Sequence, residues 1–107
     1  MTDDRTPILV GAGQLTQRDA EPASALDPLA MMIEVARRAA DDAGAGPSLL
    51  ERIDALAVVN VFCWPYRNLP GALAERLGAH PTDAVYTTVG GNTPQWLVNE
   101  TAAKIAD

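Results

Sequence analysis

Four stretches of the 107-residue sequence carry residue types that could do chemistry. The first is Gly90-Gly91-Asn92-Thr93, between a β-branched run and Pro94. A strand that turns sharply into a helix aims unpaired N–H groups and the positive end of the helix dipole at one point. Such a point suits an anion, an oxyanion or a nucleophile that needs activation. No Ser, Cys or Lys stands at the two glycines and no P-loop lysine follows, so the competing reading is a glycine pair that permits close helix packing. The second stretch is Gly11-Ala12-Gly13, after an apolar run. A dinucleotide site would need Gly or Ala where Thr16 stands and a helix beginning at the turn, whereas the helix signal comes only at Pro28. A tight turn at a strand end is the simpler reading.

Cys63 has only Arg67 nearby in sequence to favour its thiolate, and it reads as a small buried hydrophobe. His80, between Ala79 and Pro81, reads as a surface residue. With one cysteine and one histidine there is no internal disulfide and no Cys/His cluster of zinc spacing, so no metal site is expected. Asn99-Glu100-Thr101 matches a glycosylation sequon only formally, because it falls within a helical pattern.

These residues are placed by an alternation of strands and helices. Pro7 to Gly13 is a short apolar run that suits a strand buried on both faces. Asp27-Pro28 is a helix start, with Asp accepting from first-turn amides and Pro lacking a donor. Leu29, Met32, Ile33, Ala36, Ala40 and Ala43 then form one stripe, and Gly44 ends the helix. Leu49, Leu50 and Ile53 lead into a strand from Ala55 to Phe62. Pro70 to Leu77 reads as a helix closed by Gly78, and Ala84 to Val89 as a strand. The last helix runs from about Gln95 to Asp107, with Thr93 as N-cap and Pro94 at the first helical position.

The order βαβαβα predicts an α/β fold with a small parallel sheet flanked by helices. Such a sheet asks for a further strand, so the sequence reads as the front part of a larger domain. In the last helix Trp96, Leu97, Val98, Ala102, Ala103, Ile105 and Ala106 leave only a narrow polar side. A helix this apolar requires cover on more than one face, from further sequence or a partner chain.

Composition narrows the function classes. The chain is 48% hydrophobic and 21% charged, as ordinary globular domains are. A formal charge of −6 with scattered basic residues argues against nucleic acid as a partner. No apolar run approaches the roughly 18 residues of a membrane span, and Met1 to Arg5 lacks a signal-peptide pattern, which together suggest a cytoplasmic location.

Three segments resemble the N-terminal part of the thiolase superfamily: Pro7 to Gln14, Asp27-Pro28-Leu29 with its helix, and Val89-Gly90-Gly91-Asn92-Thr93-Pro94-Gln95. The likeness is to the branch of sterol-carrier-protein thiolases and acetyl-CoA acetyltransferase-like proteins. It implies a five-stranded, three-layered half-domain, of which this chain is the incomplete βαβαβα portion, with its third helix buried between two halves. In typical members a nucleophilic cysteine sits at the start of that helix. The matching residues here are Gly90, Gly91, Asn92 and Thr93, so that nucleophile is missing, and the family's other acid/base residues belong to a second half.

The resemblance therefore implies a fragment of a thiolase-like acyltransferase acting on acyl-CoA thioesters, inactive alone, with no catalytic residue of its own and substrate contacts at Gly90, Gly91, Asn92 and Thr93. Acyl-CoA would be substrate or ligand, and no separate cofactor is expected. The alternative is a non-catalytic acyl-CoA-binding or interaction module. The implied partner is a second copy, paired along the third strand, or the missing C-terminal part of the same protein.

Overall fold

The computed structural model describes residues 5–17, 25–61 and 66–107. Its elements run α1 (Pro28–Asp42), α2 (Pro47–Glu51), β1 (Ala55–Val58), α3 (Leu69–Leu77), β2 (Asp83–Tyr86) and α4 (Thr93–Ala106). β1 and β2 pair in parallel, with Ala55 opposite Asp83 and Val58 opposite Tyr86. α3 makes the crossover between them, and the fold is α/β, as the residue pattern predicts.

Each helix starts and stops for local reasons. Asp27 caps α1, its side chain accepting the Ala30 N–H, with Pro28 in the first turn. Gly44 follows the helix at φ +77°, a conformation that costs glycine nothing. Asn68 caps α3 through the Gly71 N–H, and Gly78 closes it at φ +74°. The apolar stripe of α1 delivers Ile33 and Ala40 to a core shared with Leu50, Val58, Leu69, Leu73, Ala74, Leu77 and Ala79. Leu69 is completely buried. A side chain so placed contributes roughly 1.5–3 kcal/mol through the apolar area it removes from water.

Several expectations change. Pro7 to Gly13 forms no strand among the described residues. It runs extended beside α1 with Ile8 72%, Leu9 88% and Val10 59% exposed. A strand exists only through a ladder, and here the backbone docks on a helix instead: Ala12 N–H donates to Asp42 Oδ2 at 3.0 Å and Arg38 Nη1 donates to the Gln14 carbonyl at 2.9 Å. Gly11 and Gly13 are accordingly not turn residues. They lie flush against the Ala39 and Val35 carbonyls, where a Cβ has no room. The lead-in to β1 contains the short helix α2, started by Pro47 and anchored by the buried Leu50.

The strands are shorter than predicted. β1 stops at Val58, whose carbonyl takes the Thr87 N–H at 3.0 Å, and Phe62 lies outside the described residues. β2 spans Asp83–Tyr86, so Thr87 to Val89 belong to the exit from the sheet. α4 has no buried residue, and Trp96, Val98 and Ile105 stand 53%, 61% and 47% exposed. Within this chain the apolar helix is uncovered.

Candidate functional site

Parallel strands deliver their C-terminal ends to one edge of a sheet, which is where open α/β sheets form ligand crevices. Here that edge carries Thr87, Thr88 and Val89, then the Gly90-Gly91 turn, then the start of α4. The Thr87 hydroxyl donates to the Thr88 carbonyl at 3.0 Å. Neither glycine has a positive φ, so the turn does not require glycine for its backbone angles. A Cβ on Gly90 would meet the Thr93 hydroxyl at 2.9 Å, whereas Gly91 faces open space.

Thr93 is the first residue of α4 and not its cap. Its N–H already closes a turn on the Gly90 carbonyl at 3.3 Å, which leaves Asn92 at the cap position with helical angles and no side-chain cap bond. The Trp96 N–H goes to the Asn92 carbonyl at 3.1 Å, and Pro94 has no N–H to give. Among the described residues, the Asn92 and Gln95 N–H groups donate to no carbonyl. Asn92 belongs to the wall of a groove of about 510 Å³, lined by Val85, Tyr86, Thr87, Thr88, Asn92, Thr93 and Trp96, and Gln95 does not line it.

Of the four expected contact residues, Asn92 and Thr93 therefore line the groove, while Gly90 and Gly91 shape the turn behind it without lining it. Trp96 was not singled out from sequence. Its position three residues after Thr93 puts both on one helix face, a spacing that could have indicated it. The two threonines came from a segment read as strand, and only the early end of β2 turns them into groove wall.

The chemistry available is hydrogen bonding and apolar contact. The Tyr86 phenol is the one ionisable side chain among the groove's lining residues, and no cluster of three or more His, Cys, Asp or Glu occurs among the described residues. His80 is exposed after α3, and Cys63 lies outside the described residues. Asn99 sits in α4, its side-chain oxygen accepting from Gln95 Nε2 at 3.0 Å. The carboxyl with a displaced pKa is remote from the groove in sequence and element: Asp27 is held below the usual aspartate value, first by the Tyr66 hydroxyl and then by the Ala30 amide. Among the described residues, no helix is long and apolar enough to cross a membrane.

No family model matches the chain, and no curated protein does. Among solved structures it is similar to a monomeric SCP2-thiolase-like protein type 1 from Mycobacterium smegmatis, at 34% identity and a TM-score of 0.83 over 98% of this chain. The chain spans 22% of that protein's length. Backbone agreement over nearly every residue, with a third of the side chains identical, joins the Gly-Gly-Asn-Thr-Pro-Gln turn in pointing one way: the chain belongs to the SCP2-thiolase-like branch of the thiolase superfamily.

Proposed function

We propose that this chain forms one wall of an acyl-CoA site in a thiolase-like acyltransferase, offering hydrogen bonds to a thioester carbonyl without supplying the nucleophile. The observation that carries this reading is the open N–H of Asn92, a groove-wall residue, followed by the open N–H of Gln95 in the first turn of the 14-residue α4. Donors fixed in advance, aided by the positive end of the helix dipole, stabilise a carbonyl oxygen as it gains negative charge. Thr87 and Thr88 add polar wall, and Trp96 gives apolar area for an acyl chain. Gly90, Gly91, Asn92 and Thr93 include no thiol, hydroxylate or amine activated for attack, so the chain acts on acyl-CoA only together with groups from elsewhere.

The same absence favours a second reading, a non-catalytic acyl-CoA-binding module of cytoplasmic location. In either case α4 needs a partner surface. The described relative is monomeric, which supports cover by further thiolase-like sequence over cover by a second copy.

Calorimetric titration with acetyl-CoA and with free CoA tests the proposal. A thioester carbonyl held by the α4 amides makes acetyl-CoA the tighter ligand. Equal affinity for the two removes the carbonyl from the site, and no binding of either removes the site.

A further inference from the structure

α1 uses two faces. Leu29, Met32, Ile33, Ala36 and Ala40 turn one stripe to the core. On the opposite side Met31, Val35, Arg38 and Asp42 follow one another at steps of four, three and four residues, the spacing of a single ridge along a helix. Every member of that ridge meets the N-terminal segment. Asp42 Oδ2 accepts the Ala12 N–H at 3.0 Å, Arg38 Nη1 donates to the Gln14 carbonyl at 2.9 Å, and Gly13 lies against the Val35 carbonyl. The last contact falls on Met31, whose Sδ accepts from Gln17 Nε2 at 3.3 Å. Gly11 to Gln17 is thus a strap laid antiparallel along α1, with Asp42 at one end and Met31 at the other.

The Met31 end rests on a weak acceptor, a thioether sulfur. The same Gln17 carboxamide also donates to the Leu26 carbonyl at 2.8 Å and accepts the Leu26 N–H at 3.1 Å, so it joins the strap to the residue before the Asp27 cap. Met31 and Met32 are both half-buried, but Met32 packs against the core and Met31 faces the strap. We propose that Met31 is an oxidation site whose sulfoxide releases the Gln17 end of the strap. Hydrogen peroxide is the co-reactant. A sulfur lone pair attacks one peroxide oxygen, the S–O bond forms as the O–O bond breaks, and the displaced hydroxide takes the remaining proton and leaves as water. Sulfur is oxidised by two electrons and peroxide is reduced. The product is a polar group where an apolar one stood, and it needs room that the carboxamide fills. The carboxamide therefore moves away, and Leu26 loses both of its bonds to Gln17.

Peroxide treatment of the 107-residue chain tests this, with fragment masses locating the added oxygen and amide hydrogen exchange reading local opening. Met31 is expected to take oxygen before Met32. The Leu26 N–H should then exchange about ten-fold faster, the factor matching one lost hydrogen bond of about 1.4 kcal/mol, while Ala12, held by Asp42 at the other end, keeps its rate. Met32 oxidised first, or Leu26 exchange unmoved in the Met31 sulfoxide, overturns the proposal. Met32→Leu, a volume-conserving change, removes unfolding through the core methionine as an outcome. Gln17→Ala should reproduce the Leu26 acceleration without oxidant, and oxidising Met31 in that variant should add nothing. A further acceleration there assigns the effect to another contact and refutes the release of Gln17.

Discussion

The α-carbon of Gly11 lies against the backbone carbonyl of Ala39, in the penultimate turn of α1, with no space for a side chain between them. This contact, repeated by Gly13 on Val35, is what brings the extended N-terminal segment close enough for Ala12 to reach Asp42. Gly11→Ala is expected to destabilise the chain by about 1–3 kcal/mol, the usual cost of forcing a methyl into a filled space. Urea unfolding measures it. An unchanged midpoint with Ala12 still protected from exchange shows that the segment is held elsewhere.

The core makes a sharper demand. Leu69 is fully buried where α3 meets α1 and the sheet, so Leu69→Ala should cost about 2–5 kcal/mol through lost transfer energy and the cavity left behind. A loss below about 1 kcal/mol, the order of a surface change, means the site collapses to fill the gap.

Asp27 supplies the pH dependence. Its folded pKa is depressed, chiefly by the Tyr66 hydroxyl, so the stability it contributes is fully present above the ordinary aspartate value of about 3.9 and is lost as pH falls through the lower folded value. The stability gap between the native chain and Asp27→Asn should therefore stay constant near neutrality and shrink in that acid range. A gap that widens on acidification has the opposite sign and assigns the shift to another group.

For the ligand, Gly91→Val is the informative change. Gly91 has no positive φ and open space around it, so valine should leave the fold intact while restricting the backbone that carries the Asn92 N–H. Acetyl-CoA binding is expected to weaken about ten-fold, or ~1.4 kcal/mol. A folded variant with unchanged affinity takes the turn out of the site and leaves it a packing device.

The isolated chain should not cleave acetoacetyl-CoA, because no positioned nucleophile or base lines the groove. Cleavage that disappears in Cys63→Ser would transfer the chemistry to that residue.

The exposed Trp96, Val98 and Ile105 on α4, with Ile8 to Val10 on the N-terminal segment, should drive self-association of the chain at micromolar concentration. Sedimentation velocity showing a monomer that binds no hydrophobic dye would mean that these side chains form no continuous patch.

The features legible in the residues are local. Asp27-Pro28 and Gly44 mark α1, and Gly78 closes α3. The Thr93-Pro94 step marks the start of α4, because caps and turns depend on side chains and backbone angles within four residues. The turn at Gly-Gly-Asn-Thr was legible for the same reason, although the cap position falls to Asn92 and not to Thr93. Features that depend on neighbours distant in sequence were settled by packing. Whether Pro7 to Gly13 is a strand rests on the presence of a ladder partner, and the docking of Gly11 and Gly13 on α1 settles the role of both glycines. The lengths of β1 and β2 follow from where their mutual pairing ends at Val58 and Tyr86, and that end is what makes Thr87 and Thr88 groove wall. The pairing of Tyr66 with Asp27 lay beyond reach for the same cause: a hydrogen bond across 39 residues leaves no periodicity and no spacing in the chain to read.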